Sequence, residues 1–250
     1  MAYRAWVLFL QVLLGVTFIG LWEFASGRLI DPFFISSPSA VWLKLVSWAE
    51  SGILVLHLSY TLYATSVGFV IGACGGFGFG FVMGRSQFLS DVISPYITAL
   101  YCLPKIALAP LIIMWFGIGI GSKIAMSAIV VFFLVFLNTY SGVREVNVVH
   151  LNALRIMGAG EGRLLRYVVV PSAMSWVLAG LKVSVPYALI GTVVGELMSS
   201  NRGVGFLIAQ ASGIFDTPGV FAGLVLLASV GVIVNSALNA FEAHVLRWKR

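Results

Sequence analysis

The chain has 250 residues, of which 60% are hydrophobic and 10% are charged, and it carries a formal net charge of +6. A single water-soluble core of this length cannot bury so much apolar surface, so the composition excludes a soluble globular protein. Windows longer than the roughly 18 apolar residues that cross a bilayer recur along the chain, and they predict an all-α polytopic membrane protein.

Six membrane-spanning helices are predicted, and no soluble domain is left over. The first apolar stretch, from Ala5 to Trp22, is longer than the core of a signal peptide and is followed by no small-residue cleavage site, so we interpret it as a retained anchor. One membrane domain is expected over 1–250, with the anchor and an external surface helix in 1–56 and the core helices in 57–250. The predicted spans are 5–25, 57–84, 92–116, 122–141, 168–198 and 218–243.

The segment "SSPSAVWLKLVSW", between the first two spans, predicts a short helix at the membrane surface. Ser37 is a favourable N-cap residue, and Pro38 suits the first helical position. Val41, Leu45 and Trp48 then fall on one face, as they do in an amphipathic helix that lies in the interface.

Span two carries a glycine at every fourth position. In a bilayer such a face lets a second helix approach closely, because dispersion and weak Cα–H contacts replace the hydrophobic drive. Tight helix packing is one interpretation, and a surface that slides during a conformational change is the other. The five positions are Gly68, Gly72, Gly76, Gly80 and Gly84.

The ionisable side chains inside the predicted spans include Lys105, Lys182 and Glu196. A charge at membrane depth is costly unless it faces a cavity or a partner, so all three are candidates for a solute pathway. Lys105 lies between Pro104 and Pro110, and the helix there is expected to be broken, with carbonyl groups that must face protein or water. Structural ion pairs, or snorkelling of Lys182 to the cytoplasmic headgroups, are the alternatives.

The distribution of lysine and arginine predicts the topology, because short loops rich in these residues stay on the cytoplasmic side. With the N-terminus inside, nine basic residues fall on that side and four on the other, so both chain ends are predicted to be cytoplasmic. The positive charge then reflects membrane topology, and no nucleic-acid partner is expected. The nine are Arg4, Arg85, Arg144, Arg155, Arg163, Arg166, Arg247, Lys249 and Arg250, and the four are Arg28, Lys44, Lys123 and Arg202.

The cytoplasmic segment before span five combines arginines with closely spaced glycines. Apolar residues recur at every third position from Val148 to Met157, which predicts a short amphipathic helix. Three glycines within residues 158–162 end this helix, and Arg163 and Arg166 begin another at the membrane surface. Charge and glycine content leave two interpretations open, arginines that meet lipid phosphates or a docking element for a cytoplasmic partner.

The spacing of this segment resembles the signature of the permease subunits of ATP-binding-cassette (ABC) importers, E-A-A-x-x-x-G, nine further residues and I-x-L-P. Asn152 stands where that family usually has Glu, and Leu154 stands where it usually has Ala. The matching positions are Ala153, Gly158, Val168, Val170 and Pro171.

The resemblance implies a coupling helix near 147–163, which sits in a groove of a cytoplasmic ABC ATPase subunit and transmits its closure to the membrane helices. Carried over by position, the ATPase-coupling residues are Asn152, Ala153, Leu154, Arg155, Gly158 and Pro171.

Three further stretches, "SSPSAVW", "LPKIALAPLIIMWFGIGIGSK" and "GELMSSNRGVGFLI", resemble the nitrate, sulfonate and taurine branch of these permeases. The resemblance implies a type I importer permease fold that spans the bilayer of a bacterial inner membrane several times. It also implies a second permease subunit, expected to be an identical copy, and a periplasmic or lipid-anchored solute-binding protein. The implied solute is a nitrate-, sulfonate- or taurine-like anion or a similar small organic molecule.

A phosphate-binding loop is not predicted in this chain. In "GIGIGSKI", Gly117 to Ile124, Ser122 occupies the second glycine position of such a loop and Ile124 the hydroxyl position. We interpret the stretch as a flexible external turn between spans three and four. ATP and Mg are therefore expected in a separate ATPase, and no cofactor is expected in this chain.

Other classes of membrane protein fit the sequence less well. A secondary transporter or a channel without an ATPase partner is the alternative, although no internal repeat or pore motif is found. A membrane enzyme is disfavoured, because His57, His150 and His244 are scattered and predict neither catalytic residues nor a metal site.

Overall fold

The computed structural model describes residues 2–245, and these residues are almost entirely helical. Three of the predicted cytoplasmic cations, Arg247, Lys249 and Arg250, lie outside the described residues. The helices are α1 Ala2–Ala25, α2 Pro32–Ile35, α3 Pro38–Glu50, α4 Ile53–Arg85, α5 Gln87–Cys102, α6 Ala109–Phe116, α7 Ile120–Arg144, α8 Val148–Ile156, α9 Glu161–Leu164, α10 Val170–Met198, α11 Val204–Gly213 and α12 Thr217–Val245.

Five of the described helical stretches are long and apolar enough to cross a membrane, and a bent pair of helices makes six if the pair is counted as one span. The bent pair consists of α5 followed by residues 105–116, and its two parts meet at 86°. Leu103 and Pro104 are extended there, and a single 3₁₀ turn, Lys105–Leu108, leads into α6. The predicted break at Lys105 is confirmed, since proline neither donates to the preceding turn nor allows a helical residue before it.

The surface helix α3 has the predicted cap and the predicted buried face. The Ser37 hydroxyl accepts from the N–H of Ala40 at 3.2 Å, and Pro38 is the first helical residue. Val41 and Trp48 are buried, where they pack with Leu207 of α11.

The core consists of α4, α7 and α10, and glycines set the distance between them. Each of the five glycines spaced by four along α4 faces α7. A Cβ built on Gly68 would lie 2.5 Å from the Cβ of Ser127, and one built on Gly80 would lie 2.7 Å from the carbonyl oxygen of Phe136. The two backbones are therefore in direct contact, which no larger residue on α4 permits.

The contact of α10 with α7 follows the same rule on the other side. A Cβ on Gly180 would lie 2.7 Å from the Cβ of Asn138, and one on Gly191 would lie 3.0 Å from the carbonyl oxygen of Met126. In a membrane the backbone hydrogen bonds are made within each helix, so close packing of this kind is the main force that joins the three helices.

Candidate functional site

The helix α8 lies outside the membrane bundle and begins and ends with defined caps. Asn147 accepts from the N–H of Val149 at 2.8 Å, which caps the first turn. Gly158 follows the last turn with φ +78°, and the next N–H, of Ala159, donates to the carbonyl oxygen of Leu154 at 3.0 Å. A left-handed residue at this position is favourable only for glycine, which explains why the helix ends there.

One face of α8 packs on the bundle and the other faces solvent. Leu151 and Leu154 contact a cluster of buried residues near the end of α7 and the start of α10. Asn152, Ala153 and Arg155 are exposed on the other face. Beside them Ile156 is 88% exposed and Met157 is 80% exposed. Two large apolar side chains fully exposed at a helix end are typical of a surface that a partner covers.

An ion-paired carboxylate joins this segment to α4. Glu161, the first residue of α9, lies 3.0 Å from the guanidinium of Arg85 at the end of α4 and 3.4 Å from that of Arg155. The sequence analysis did not single out Glu161. Its two partners are 76 and 6 residues away, so periodicity gives no signal for the contact.

From Glu161 onward the chain is one helix to Met198, which corrects the prediction that span five begins at residue 168. The helix contains a π turn over Leu165–Val169, in which the N–H of Val170 donates to the carbonyl oxygen of Leu165. Pro171 is the second residue after this π turn. Its ring cannot fit over the carbonyl four residues earlier in a regular α-helix, and the wider π turn removes that clash without ending the helix.

Lys105 lies at the bend between α5 and residues 105–116. Its ammonium group donates to the carbonyl oxygen of Tyr101 and lies 4.3 Å from the centre of that ring. It also lies 5.0 Å from the ring of Phe133, which is halfway along α7. Among the described residues Lys105 takes part in no ion pair, and its side chain is only half-buried.

The other two candidates differ from Lys105 in their surroundings. Lys182 is half-buried in the middle of α10. Glu196 is 1% exposed, and its carboxylate accepts from the hydroxyl of Thr61 at 2.8 Å and from the N–H of Gly205 at 2.9 Å. The structure thus separates the three, with Lys105 at a surface and Glu196 inside a hydrogen-bonded cluster.

The prediction of a flexible turn over Gly117–Ile124 is wrong for its second half. α7 begins at Ile120, so Lys123 belongs to its first turn and is completely buried. The ammonium group donates to the carbonyl oxygen of Ile118 at 2.8 Å and to that of Ser199. The carbonyl groups of two chain turns replace water around this charge, which is why it can be buried.

Comparison with known proteins places this architecture in a family. The family model described as "Binding-protein-dependent transport system inner membrane component" matches residues 76–247. The formylaminopyrimidine transport permease protein of Halalkalibacterium halodurans is 31% identical over 230 residues, which cover 92% of each chain. The putative aliphatic sulfonates transport permease protein of Bacillus subtilis is 31% identical and covers 95% of this chain and 87% of its own.

Solved structures show the same fold. A chain of the inward-facing MetNI methionine ABC transporter matches 80% of this chain and 97% of its own length, with a TM-score of 0.67 at 18% identity. A chain of an amino acid ABC transporter matches 82% and 97%, with a TM-score of 0.62 at 21% identity. The membrane bundle, with the helix α8 outside it, agrees with this family match. The chain therefore belongs to the binding-protein-dependent transport family and is a permease subunit of an ABC importer.

Proposed function

We propose that the exposed face of α8 is the contact through which a cytoplasmic ABC ATPase drives this permease. The observation that carries the proposal is the end of α8, where Ile156 and Met157 are almost fully exposed beside the left-handed Gly158. The family implies an ATPase partner, and a short helix outside the bundle with an apolar end fits a groove on such a partner. ATP and Mg are bound by that partner.

The segment can pass a displacement of α8 to the membrane helices in two ways. α8 follows the end of α7 after three residues, and the loop after α8 leads into the continuous helix from Glu161 to Met198. Glu161 also binds Arg85 of α4, so all three core helices are connected to the same short helix. Because these helices are packed backbone to backbone, they respond as rigid elements.

The solute pathway runs past Lys105 in this proposal. A cation at the middle of the bilayer is costly against acyl chains, so the face that carries Lys105 meets water or a second permease subunit. Two identical copies, related by a two-fold axis, enclose a pathway between those faces. A small anion of the nitrate, sulfonate or taurine type is the solute that suits this ammonium group.

The orientation follows from charge. The basic residues near the ends of α4, α7 and α8 mark the cytoplasmic side, on which we also place the N-terminus and the C-terminus. An external solute-binding protein, periplasmic or lipid-anchored, delivers the solute to the opposite side.

The coupling contact is tested by a pair of matched variants. Gly158 has φ +78°, and no atom lies within 4 Å of a Cβ added there. Gly52 precedes the first residue of α4, at the end of that helix opposite to Arg85, and has φ +74° and the same open space. Gly158→Arg and Gly52→Arg therefore impose equal backbone strain. Each tagged chain is purified from its native membrane in mild detergent, and bound proteins are quantified by mass spectrometry.

We expect a P-loop ATPase at near-stoichiometric level with the unmodified chain and with Gly52→Arg, and its loss with Gly158→Arg. Equal retention of the ATPase by both variants contradicts the contact. A folded chain that is recovered without any ATPase contradicts the coupling function as a whole.

A further inference from the structure

The loop between α10 and α11, residues 199–203, and the first turn of α11 are held by buried side chains of α4 and α10. Three consecutive backbone N–H groups, at positions 203–205, donate to these side chains. The acceptors are the Nδ1 of His57 at 3.1 Å, the hydroxyl of Thr61 at 2.8 Å and the carboxylate of Glu196 at 2.9 Å. All three side chains are buried.

A buried cation holds the first residue of the same loop. Lys123 of α7 is 0% exposed and donates to the carbonyl oxygen of Ser199. Two opposite charges, those of Lys123 and Glu196, are therefore removed from water where they hold the two flanks of this loop, at Ser199 and at Gly205. Buried charges are costly, and helix packing alone does not require them here, since the glycine contacts already join α4, α7 and α10.

The path of the backbone through this loop requires glycine at position 203. Its φ is +108°, and a Cβ at this position would overlap the carboxylate of Glu196. The chain can therefore pass the carboxylate only where no side chain is present. Ser200 stiffens the loop further, because its hydroxyl donates to the carbonyl oxygen of Arg202 at 2.6 Å.

The loop presents one charged group, Arg202, to the exterior. Arg202 is exposed and takes part in no ion pair within residues 2–245. Arg202 lines an open cleft of about 380 Å³ together with two tyrosines, one serine and two aliphatic residues. The cleft is lined by Leu56, Ser59, Tyr60, Tyr63, Ile120 and Arg202.

The cleft lies at the opposite end of α4 from the coupling segment. α4 has 33 residues. It is thus about 50 Å long, whereas the hydrocarbon core of a bilayer is about 30 Å thick. α4 is therefore longer than the core is thick, and in the proposed orientation its first three turns, which supply Ser59, Tyr60 and Tyr63, lie toward the external side.

We propose that this cleft is the docking contact for an acidic side chain of the solute-binding protein, and that Glu196, Thr61 and Lys123 position Arg202 for it. The inference rests on the proposed import function. A guanidinium group flanked by tyrosines and small apolar residues is the composition of a protein interface hot spot, and carboxylate is the group that Arg binds in bidentate form. An arginine that only meets lipid phosphate reaches it by a flexible side chain and needs no buried network beneath its backbone.

Photo-cross-linking in native membranes tests the docking contact. p-Benzoylphenylalanine replaces Tyr63, which is 60% exposed within the cleft, and the adducts are identified by mass spectrometry. We expect an adduct with a solute-binding protein that is lost on Arg202→Glu and kept on Arg28→Glu, an exposed cation that lies over the ring of Phe24. Adducts with lipid alone, or equal yields in both charge reversals, overturn the proposal.

The positioning role is tested on the purified complex with its ATPase in nanodiscs. The binding protein identified by cross-linking is added, and its stimulation of ATP hydrolysis is compared with the basal rate. We expect Arg202→Glu and Thr61→Val to raise the concentration of binding protein for half-maximal stimulation by about tenfold, with the basal rate unchanged. If a variant complex hydrolyses ATP and responds to the binding protein as the unmodified complex does, only the docking at Arg202 is refuted. A chain that is recovered without an ATPase refutes the import function.

Discussion

The carboxylate of Glu161 lies 3.0 Å from the guanidinium of Arg85, and this contact connects the C-terminal end of α4 to the segment that follows α8. The pair is exposed to solvent, so its contribution to folding is small. We expect its role to be mechanical instead, because it lies between two elements that the proposed coupling moves together.

Charge reversal at this contact therefore affects transport more than stability. We expect Glu161→Arg to lower solute uptake per ATP hydrolysed while leaving the thermal unfolding temperature nearly unchanged. The double variant Glu161→Arg with Arg85→Glu restores the pair and recovers part of the uptake. Uptake and ATP hydrolysis are measured in the same proteoliposomes. A large drop in the unfolding temperature that accompanies the loss of uptake would instead indicate a purely structural pair.

The glycine face of α4 gives a prediction about stability. A Cβ on Gly76 would lie 2.5 Å from the carbonyl oxygen of Phe132, whereas Gly78 on the same helix has no atom within 4 Å of an added Cβ. Gly76→Val should destabilise the bundle by about 1–3 kcal/mol, the usual cost of overpacking. Gly78→Val is the matched control.

Fluorescence-detected thermal unfolding in detergent measures both variants. We expect a clear drop in the unfolding temperature for Gly76→Val and no drop for Gly78→Val. Similar values for the two variants contradict the direct contact of α4 with α7.

Lys105 gives a prediction about selectivity. If its ammonium group binds an anionic solute, Lys105→Gln lowers anion uptake by about tenfold or more, which corresponds to about 1.4 kcal/mol of lost interaction. Lys105→Arg keeps the charge and retains more of the activity. Lys44→Gln, which removes an external cation that pairs with Asp216, is the control.

Uptake of labelled sulfonates by cells tests these variants at equal amounts of protein in the membrane. Unchanged uptake by Lys105→Gln shows that the ammonium group does not meet the solute.

The buried charges near the loop 199–203 predict a coupled effect. Glu196→Leu leaves the N–H of Gly205 without its acceptor, leaves the hydroxyl of Thr61 only the carbonyl oxygen of His57 at 3.2 Å, and removes the charge that opposes Lys123. Each lost acceptor costs about 1–3 kcal/mol, so the single variant is strongly destabilised. The double variant with Lys123→Met should be destabilised by less than the sum of the two single changes, because no lone charge remains buried. Additive losses in unfolding temperature contradict the coupling.

Features that depend on neighbouring residues in the chain could be predicted from the sequence. The spans follow from apolar length, the break at Lys105 follows from Pro104, and the start of α3 follows from Ser37 and Pro38. The glycine period along α4 also predicts a face for close helix contact, and the structure shows α7 against that face.

Features that depend on distant residues could not be predicted. The sequence predicts an external cation at Lys123 and no buried partner, because its acceptor at Ser199 is 76 residues away and contributes no local pattern. The hydrogen bonds of Glu196 reach Thr61, 135 residues away, and the partner of Glu161 is at the end of another helix. A polar side chain in a span shows from sequence only that it needs a partner, and the fold decides which partner it has.

ATP-driven uptake in proteoliposomes tests the central claim most directly. The co-purified complex is reconstituted, and the side on which α8 lies is established from the face of the vesicle at which added protease cleaves the bound ATPase. ATP is supplied only on the side of α8, and the solute with its binding protein only on the other side. We predict uptake that requires ATP, stops in Gly158→Arg and continues in Gly52→Arg. Uptake without ATP, or uptake that persists in Gly158→Arg, would contradict energy transfer through α8.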